Sequence, residues 1–167
     1  RADLEQAMRT PDADLVAMGR AVFEEEAEAL RQIGTRLSEG FARAVRMILE
    51  CRGRVLITGL GKSGLIARKM AATLTSTGTP ALFVHPVEAL HGDLGIATVD
   101  DLLLAISNSG RNRELLTVVH SLHALGLPVV AITGDPRSLL ARAADVVLDS
   151  AIEREVCPLD LTPTTSA

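Results

Sequence analysis

Residues 102–110 read LLLAISNSG, an apolar run followed at once by four small or polar residues. The apolar run predicts a buried strand over 102–107, and a helical pattern begins near Arg113. Hydroxyl side chains and backbone N–H groups at such a strand-to-helix turn lie at the positive end of the helix, which favours a bound anion. Ser107 and Ser109, with Asn108 and Asn112, are therefore candidate ligands of a phosphate group. The alternative is an N-cap with an Asx or Ser turn.

A second glycine-rich turn lies upstream, where residues 59–64 read GLGKSG. Its glycine spacing matches the dinucleotide fingerprint, but residues 84–86 read VHP where an acidic residue is needed to hold a ribose. A nucleotide phosphate loop needs a glycine where Leu56 stands. What remains is Lys62 and Ser63 at the start of a helix. They are either a further contact to a phosphate or part of a tight turn with a solvated lysine.

Short apolar runs alternate with helical patterns from residue 54 onward. Strands that are apolar on both faces and joined by helices predict a parallel sheet covered on both sides. Because ligands of such sheets bind at the carboxyl ends of the strands, both glycine-rich turns are expected at one edge. The predicted strands are 55–58, 81–84, 102–107, 129–133 and 146–148, and the predicted helices are 14–37, 39–50, 63–77, 113–125 and 138–143.

The composition argues against several classes of protein. The chain has 167 residues, enough for one domain, and 47% are apolar, but Trp and Tyr are absent and the net charge is −4. Few aromatic residues for base stacking and a negative charge make nucleic acid an unexpected partner. No apolar stretch reaches membrane-spanning length, so no membrane partner is expected. Two distant cysteines, Cys51 and Cys157, indicate no disulfide framework and favour the cytoplasm, with Cys157 interpreted as a buried structural thiol.

Polar residues cluster between the second and third predicted strands, where residues 85–95 read HPVEALHGDLG. Loops at this end of a sheet carry chemistry on a rigid scaffold. One interpretation is a metal site of His85, His91 and Asp93, although no fixed ligand spacing is met. The favoured interpretation is acid–base chemistry, because an imidazole can pass protons near neutral pH. After the last strand, residues 153–155 read ERE, either a surface ion pair or a source of a base.

Together these motifs resemble the sugar isomerase (SIS) domain family over nearly the whole chain. The resemblance implies an α/β fold, a three-layer αβα sandwich with a five-stranded parallel sheet of flavodoxin or Rossmann type. It implies a single domain over 1–167, with N-terminal helices in 14–52, an α/β core in 54–150 and a tail in 151–167. The family's last helix, with a further functional histidine, and its pair of CBS modules are expected to lie outside this chain. The residues that carry the resemblance are 61–64, 76–80, 85–95, 107–110, Glu114, 139–145, 153–155 and 157–159.

The resemblance also implies a function. It implies an aldose–ketose isomerase that interconverts D-arabinose 5-phosphate and D-ribulose 5-phosphate, feeds Kdo and lipopolysaccharide biosynthesis, and assembles as a cytoplasmic homotetramer without a metal or other cofactor. An enediol intermediate is the economical path for this reaction, with a base for the carbon-bound proton and charge stabilisation for the enediolate. The family's phosphate-binding serines fall on Ser63, Ser107 and Ser109, its functional lysine on Lys62, its loop histidine on His91, and its two glutamates on Glu114 and Glu155. His91 is the first candidate for proton transfer, and the two glutamates are its rivals.

This chain departs from the family at Arg111 and Asn112, where an acidic residue and a threonine are usual. Asn112 can still donate through its amide, and Arg111 can add positive charge. Two alternatives stay open: a sensor domain that binds a sugar phosphate without turnover, and an isomerase of another sugar phosphate, such as a hexulose phosphate. The acidic run at 24–26 disfavours a DNA-binding regulator, and the loop at 85–95 favours the arabinose enzyme.

Overall fold

The structure of the chain, a computed structural model, describes residues 10–156 and 164–166. Two helices come first, and the other elements alternate along the chain. The helices are α1 (Asp12–Thr35), α2 (Glu39–Glu50), α3 (Gly61–Ser76), α4 (Pro86–Leu90), α5 (Arg113–Ala124) and α6 (Leu139–Ala143), and the strands are β1 (Val55–Gly59), β2 (Ala81–Val84), β3 (Leu102–Ile106), β4 (Val129–Thr133) and β5 (Val146–Asp149).

The described residues form one parallel sheet of five strands in the order β2-β1-β3-β4-β5. β2 lies on one side of β1, whereas β3, β4 and β5 follow one another on the other side. In a sheet with this order, ligands bind where the winding reverses, outside the carboxyl ends of the strands next to that point. The predicted α/β class with a five-stranded parallel sheet is confirmed.

Each face of the sheet is covered by its own helices, which gives the three predicted layers. One core cluster lies between the sheet and α2 and α3, and the other lies between the sheet and α4, α5 and α6. Burial of apolar side chains on both faces explains why the strands are apolar throughout rather than alternating. Among the buried helix residues are Ala44, Ala67 and Ala71 on the first face and Ala89, Leu115, Leu122 and Leu140 on the second.

Gly64 allows α3 to approach β1 closely. A Cβ at this position would lie 2.7 Å from the carbonyl oxygen of Gly59, which is closer than a Cβ can approach a backbone atom. The close contact brings the first turn of α3, with Lys62 and Ser63, against the carboxyl end of β1.

The segment predicted as a loop at 85–95 is partly helical. Pro86 opens α4 at a position where proline suits a helix, and Ala89 packs into the core. A 3₁₀ helix, Asp93–Ile96, follows. The segment is therefore anchored to the second face of the sheet. The predicted buried thiol at Cys157 lies outside the described residues.

The helix predicted over 14–37 is present as α1, and the structure places it outside the core. No residue within Asp12–Thr35 is buried, and Phe23 and Leu30 are 79% and 67% exposed. Its apolar residues therefore meet solvent or another molecule rather than the chain's own sheet. None of the helices within the described residues has the length and apolar character needed to cross a membrane.

Candidate active site

The two glycine-rich turns meet at a cavity of about 290 Å³ at the carboxyl ends of β1 and β3. We call residues 107–112, which follow β3, the anion turn. Because β1 and β3 flank the point where the winding of the sheet reverses, the cavity lies at that point. All five residues predicted to bind phosphate line it: the lining is Leu60, Ser63, Ile106, Ser107, Asn108, Ser109, Asn112 and Leu115.

The serine hydroxyls of the anion turn also shape the turn itself. Ser107 Oγ accepts a hydrogen bond from the Gly110 N–H at 3.1 Å, and Ser109 Oγ accepts one from the Arg111 N–H at 3.4 Å. A hydroxyl that accepts a hydrogen bond keeps its own O–H as a donor, so both serines can still donate to an anion. Among the residues that the structure describes, none accepts a hydrogen bond from the backbone N–H of Asn108 or Ser109.

Asn112 caps α5. Its Oδ1 accepts a hydrogen bond from the Leu115 N–H at 3.0 Å, which leaves the side-chain amide NH₂ as the group that can donate to an anion. The N-cap predicted as the alternative interpretation is thus present together with the cavity. The same side chain can serve both the helix start and an anion.

Arg111 pairs with Asp135 in the turn after β4. Its Nη2 lies 3.2 Å from the Asp135 Oδ2, and its side chain is 73% exposed. The Arg137 N–H and this guanidinium hold the pKa of the Asp135 carboxyl below its ordinary value. Arg111 does not line the cavity, so the positive charge expected there joins two neighbouring turns instead.

The predicted catalytic residues Lys62, His91 and Glu114 each follow the carboxyl end of a strand. Lys62 lies in the first turn of α3, His91 directly after α4, and Glu114 in the first turn of α5, and all three are exposed. Within the described part of the chain, none of them lines the cavity. The structure thus brings the candidate anion ligands together and leaves these three residues outside that group.

Glu155 lines an adjoining cavity of about 420 Å³, which shares Asn108 with the first. Its carboxylate accepts hydrogen bonds from the backbone N–H of Thr164 at 2.8 Å, of Thr165 at 2.9 Å and of Ser166 at 3.3 Å, and from the Ser166 hydroxyl. Burial acts to raise the pKa of Glu155, but these donors outweigh it and lower the pKa to about 2. The carboxylate is therefore ionised at neutral pH and weakly basic.

The metal interpretation of the segment at 85–95 gains no support. Within residues 10–156 and 164–166, no group of three or more His, Cys, Asp or Glu is placed to hold a metal ion. His85 Nδ1 is buried without a hydrogen-bond partner among those residues.

The turn directly after β4, residues 134–138, was not identified from the sequence, and we call it the support turn. Its sequence reads GDP at residues 134–136, a pattern typical of a boundary between elements. In the structure the Gly134 N–H donates to the carbonyl oxygen of Asn108 at 3.0 Å, so this turn packs directly against the anion turn. The sequence does contain a signal for this turn, because a glycine and polar residues directly follow a buried strand, as they do in the anion turn.

Comparison with protein families gives one match, to the model described as SIS domain, over residues 47–167. Among curated proteins, the chain is 47% identical over 141 residues to a Pseudomonas aeruginosa protein named arabinose 5-phosphate isomerase KdsD. The alignment covers 84% of this chain and 43% of that protein. It is 46% identical over 156 residues to the Escherichia coli K12 protein of the same name, in an alignment that covers 93% of this chain and 48% of that protein. The chain thus spans about half the length of the curated relatives it matches.

The fold is also similar to solved structures. An E. coli CFT073 protein determined in complex with arabinose 5-phosphate has a TM-score of 0.88 at 37% identity, with 94% of this chain and 84% of that chain covered. A protein from Listeria monocytogenes has a TM-score of 0.88 at 28% identity, with 94% of this chain and 83% of that chain covered.

Proposed function

The chain belongs to the SIS domain family, and from that membership we propose that it is the sugar-phosphate-binding domain of an aldose–ketose isomerase. Its substrates are D-arabinose 5-phosphate and D-ribulose 5-phosphate. The observation that carries the proposal is the cavity at which Ser63, Ser107, Ser109 and Asn112 converge at the carboxyl edge of the sheet. The names of the curated relatives and the sugar-phosphate complex of the E. coli CFT073 protein support the choice of substrate.

In the proposed reaction a base removes the proton from C2 of the aldose while the carbonyl oxygen at C1 gains a proton, which gives an enediol. The base then returns a proton to C1 as the hydroxyl at C2 loses its own, and the ketose results. Ser107 and Ser109 hold the phosphate, and Lys62 stabilises the negative charge that develops on the oxygens. His91 transfers the carbon-bound proton.

The low pKa of Glu155 supports the assignment of proton transfer to His91. A base is efficient when its pKa lies near the operating pH, and a carboxylate with a pKa of about 2 is far below it. Glu155 therefore acts as a fixed negative charge next to the cavity rather than as the base. Glu114 stays a second candidate because it lies in the first turn of α5, directly after the anion turn.

The reaction is tested by incubating the chain with D-arabinose 5-phosphate in D₂O and following the sugar by ¹H NMR. We expect D-ribulose 5-phosphate to form and deuterium to enter at the carbon that receives the proton, because an enediol exchanges with solvent. Binding of the substrate without turnover would instead identify a sensor domain. Turnover of a hexulose phosphate in preference to the pentose would overturn the substrate assignment.

The phosphate contact is tested separately. Ser107→Ala removes a hydroxyl donor to a charged group, which is worth about 1.5–3 kcal/mol, so we expect the dissociation constant for D-arabinose 5-phosphate to rise by roughly 10- to 150-fold. Ser76→Ala is the matched control, because the Ser76 hydroxyl donates to the Ala72 carbonyl at the far end of α3. Equal affinities of the two variants in calorimetry would remove the anion turn from the site.

We further propose that the protein assembles as a cytoplasmic homotetramer and that its product D-arabinose 5-phosphate enters Kdo and lipopolysaccharide biosynthesis. The exposed apolar residues of α1 support assembly, because a helix without a buried residue gains stability by packing against another copy. Assembly also offers a route by which side chains of one copy reach the cavity of another, which suits the exposed positions of Lys62 and His91.

A further inference from the structure

Thr133 occupies the end of β4, and its side chain is fully buried. Its hydroxyl donates a hydrogen bond to the carbonyl oxygen of Asn108 at 3.2 Å and accepts one from the Asp135 N–H at 3.2 Å. One buried hydroxyl therefore links the anion turn to the support turn.

Further contacts hold the anion turn against the support turn and against α6. The Asn108 carbonyl oxygen also accepts the Gly134 N–H at 3.0 Å, and the Gly110 carbonyl oxygen accepts the Leu140 N–H at 3.0 Å. Gly110 has a φ of +60°, and a Cβ there would lie 2.1 Å from the Ser138 Oγ. The anion turn is thus held at the carbonyl groups of Asn108 and Gly110, so that its shape depends on the support turn and the helix that follows it.

Because the peptide bond is planar, the hydrogen bonds to the Asn108 carbonyl also determine where the Ser109 N–H points. In a trans peptide the carbonyl of one residue and the N–H of the next lie in one plane and point in opposite directions. The structure contains no cis peptide bond among the described residues. Two donors hold the Asn108 carbonyl towards β4, so the Ser109 N–H points away from β4, and Ser109 lines the cavity.

We propose that Thr133 is a positioning residue: its hydroxyl fixes the peptide between Asn108 and Ser109 so that the Ser109 N–H donates to the phosphate of the sugar. This inference rests on the proposed function, because it needs an anion in the cavity. Among the described residues none accepts a hydrogen bond from the Ser109 N–H, so this exposed group is available to a ligand. No contact between Thr133 and the substrate is required, since Thr133 does not line the cavity.

The test compares Thr133→Val, which keeps the shape and removes the hydroxyl, with Thr133→Ser, which keeps the hydroxyl. Thr73→Val is the matched control, since the Thr73 hydroxyl donates to the Lys69 carbonyl on the exposed side of α3. We expect Thr133→Val to raise KM for D-arabinose 5-phosphate about 10-fold with kcat changed less than about two-fold, and Thr133→Ser to restore KM. The same ranking is expected for the dissociation constant in calorimetry.

A second measurement on the unmodified protein covers the case in which Thr133→Val does not fold. Titration with inorganic phosphate is followed by ¹⁵N–¹H correlation NMR, and we expect the Ser109 amide proton to shift downfield while the amide of Leu82 on β2 does not. Any one of three results overturns the inference. These are an unshifted Ser109 amide, an unchanged KM in Thr133→Val, and a Thr133→Ser variant that is as impaired as Thr133→Val. If the unmodified protein binds neither inorganic phosphate nor D-arabinose 5-phosphate, the proposed function falls as well.

Discussion

At the scale of single residues, three polar side chains around the cavity, those of Ser107, Ser109 and Asn112, accept local backbone hydrogen bonds and so serve the fold before they meet any ligand. Ser107 accepts the Gly110 N–H and Asn112 accepts the Leu115 N–H, so both are held in place by backbone donors. A side chain that is fixed in this way loses little further freedom when it binds an anion. The site is therefore organised in the free chain.

His91 is the residue on which the proposed chemistry depends most. We expect His91→Ala to lower kcat by about 10²- to 10⁴-fold, the range that a positioned proton-transfer group contributes. Because His91 is exposed and ends a short helix, the midpoint of thermal unfolding should stay unchanged. His120→Ala, an exposed histidine on α5, is the control and should retain full turnover. Retention of kcat by the His91 variant would transfer the role to Glu114.

At the scale of elements, the close contact between α3 and β1 decides where Lys62 and Ser63 lie. We expect Gly64→Ala to lower the free energy of unfolding by about 1–3 kcal/mol, because the added Cβ would press on the Gly59 carbonyl and move the helix outward. The affinity for D-arabinose 5-phosphate should fall with it. Gly19→Ala in α1 is the control: nothing lies within 4 Å of its Cβ, and alanine favours a helix by about 1 kcal/mol. Equal effects of both changes in a denaturant titration would contradict the argument.

The buried carboxylate of Asp101 connects the starts of β1 and β3. Burial acts to raise the pKa of Asp101, but the Thr98 N–H, the Arg54 N–H and the Arg54 guanidinium outweigh it and lower the pKa below the ordinary 3.8. A lowered pKa in the folded state stabilises the fold above pH 3.8, and this contribution is lost as the pH falls through the folded-state pKa.

We therefore expect Asp101→Asn to lower the free energy of unfolding by about 1–3 kcal/mol at pH 7. The difference from the unmodified protein should narrow as the pH is lowered below 3.8. Asp100→Asn, at the exposed neighbouring position, should change little at either pH. Urea titrations at pH 7 and pH 3 measure both, and a difference that grows on acidification would refute the assignment.

The sequence predicted the sheet because its strands are short apolar runs bounded by glycine and proline, as in residues 129–133. It did not predict α4, because five residues are too few to display a helical period. The burial of Ala89 depends on its packing against the core, which no local pattern shows. The anion turn was predicted from residue types alone. The pairing of Arg111 with Asp135 and the hydrogen bonds on Glu155 depend on residues distant in sequence, which no local pattern contains.

At the scale of the whole molecule, α1 presents apolar residues that the described part of the chain leaves exposed. We expect the double variant Phe23→Glu and Leu30→Glu to reduce the molar mass measured by size-exclusion chromatography with light scattering, because charge at these exposed positions opposes packing between copies. Arg20→Glu, an exposed polar position on the same helix, is the control for added negative charge. An unchanged mass in the double variant would exclude α1 from the assembly interface.

The exposed position of α1 has a consequence for protease resistance. Within the described part of the chain, neither core cluster contains a residue of this helix. Trypsin can cut after Arg20 and Arg31 without opening the sheet, whereas Arg36 pairs with Asp149 on β5 and Arg54 lies beside buried strands. A brief digest should therefore trim the amino-terminal segment first and leave a stable fragment that retains the cavity, and a second copy seated on α1 would slow that trimming.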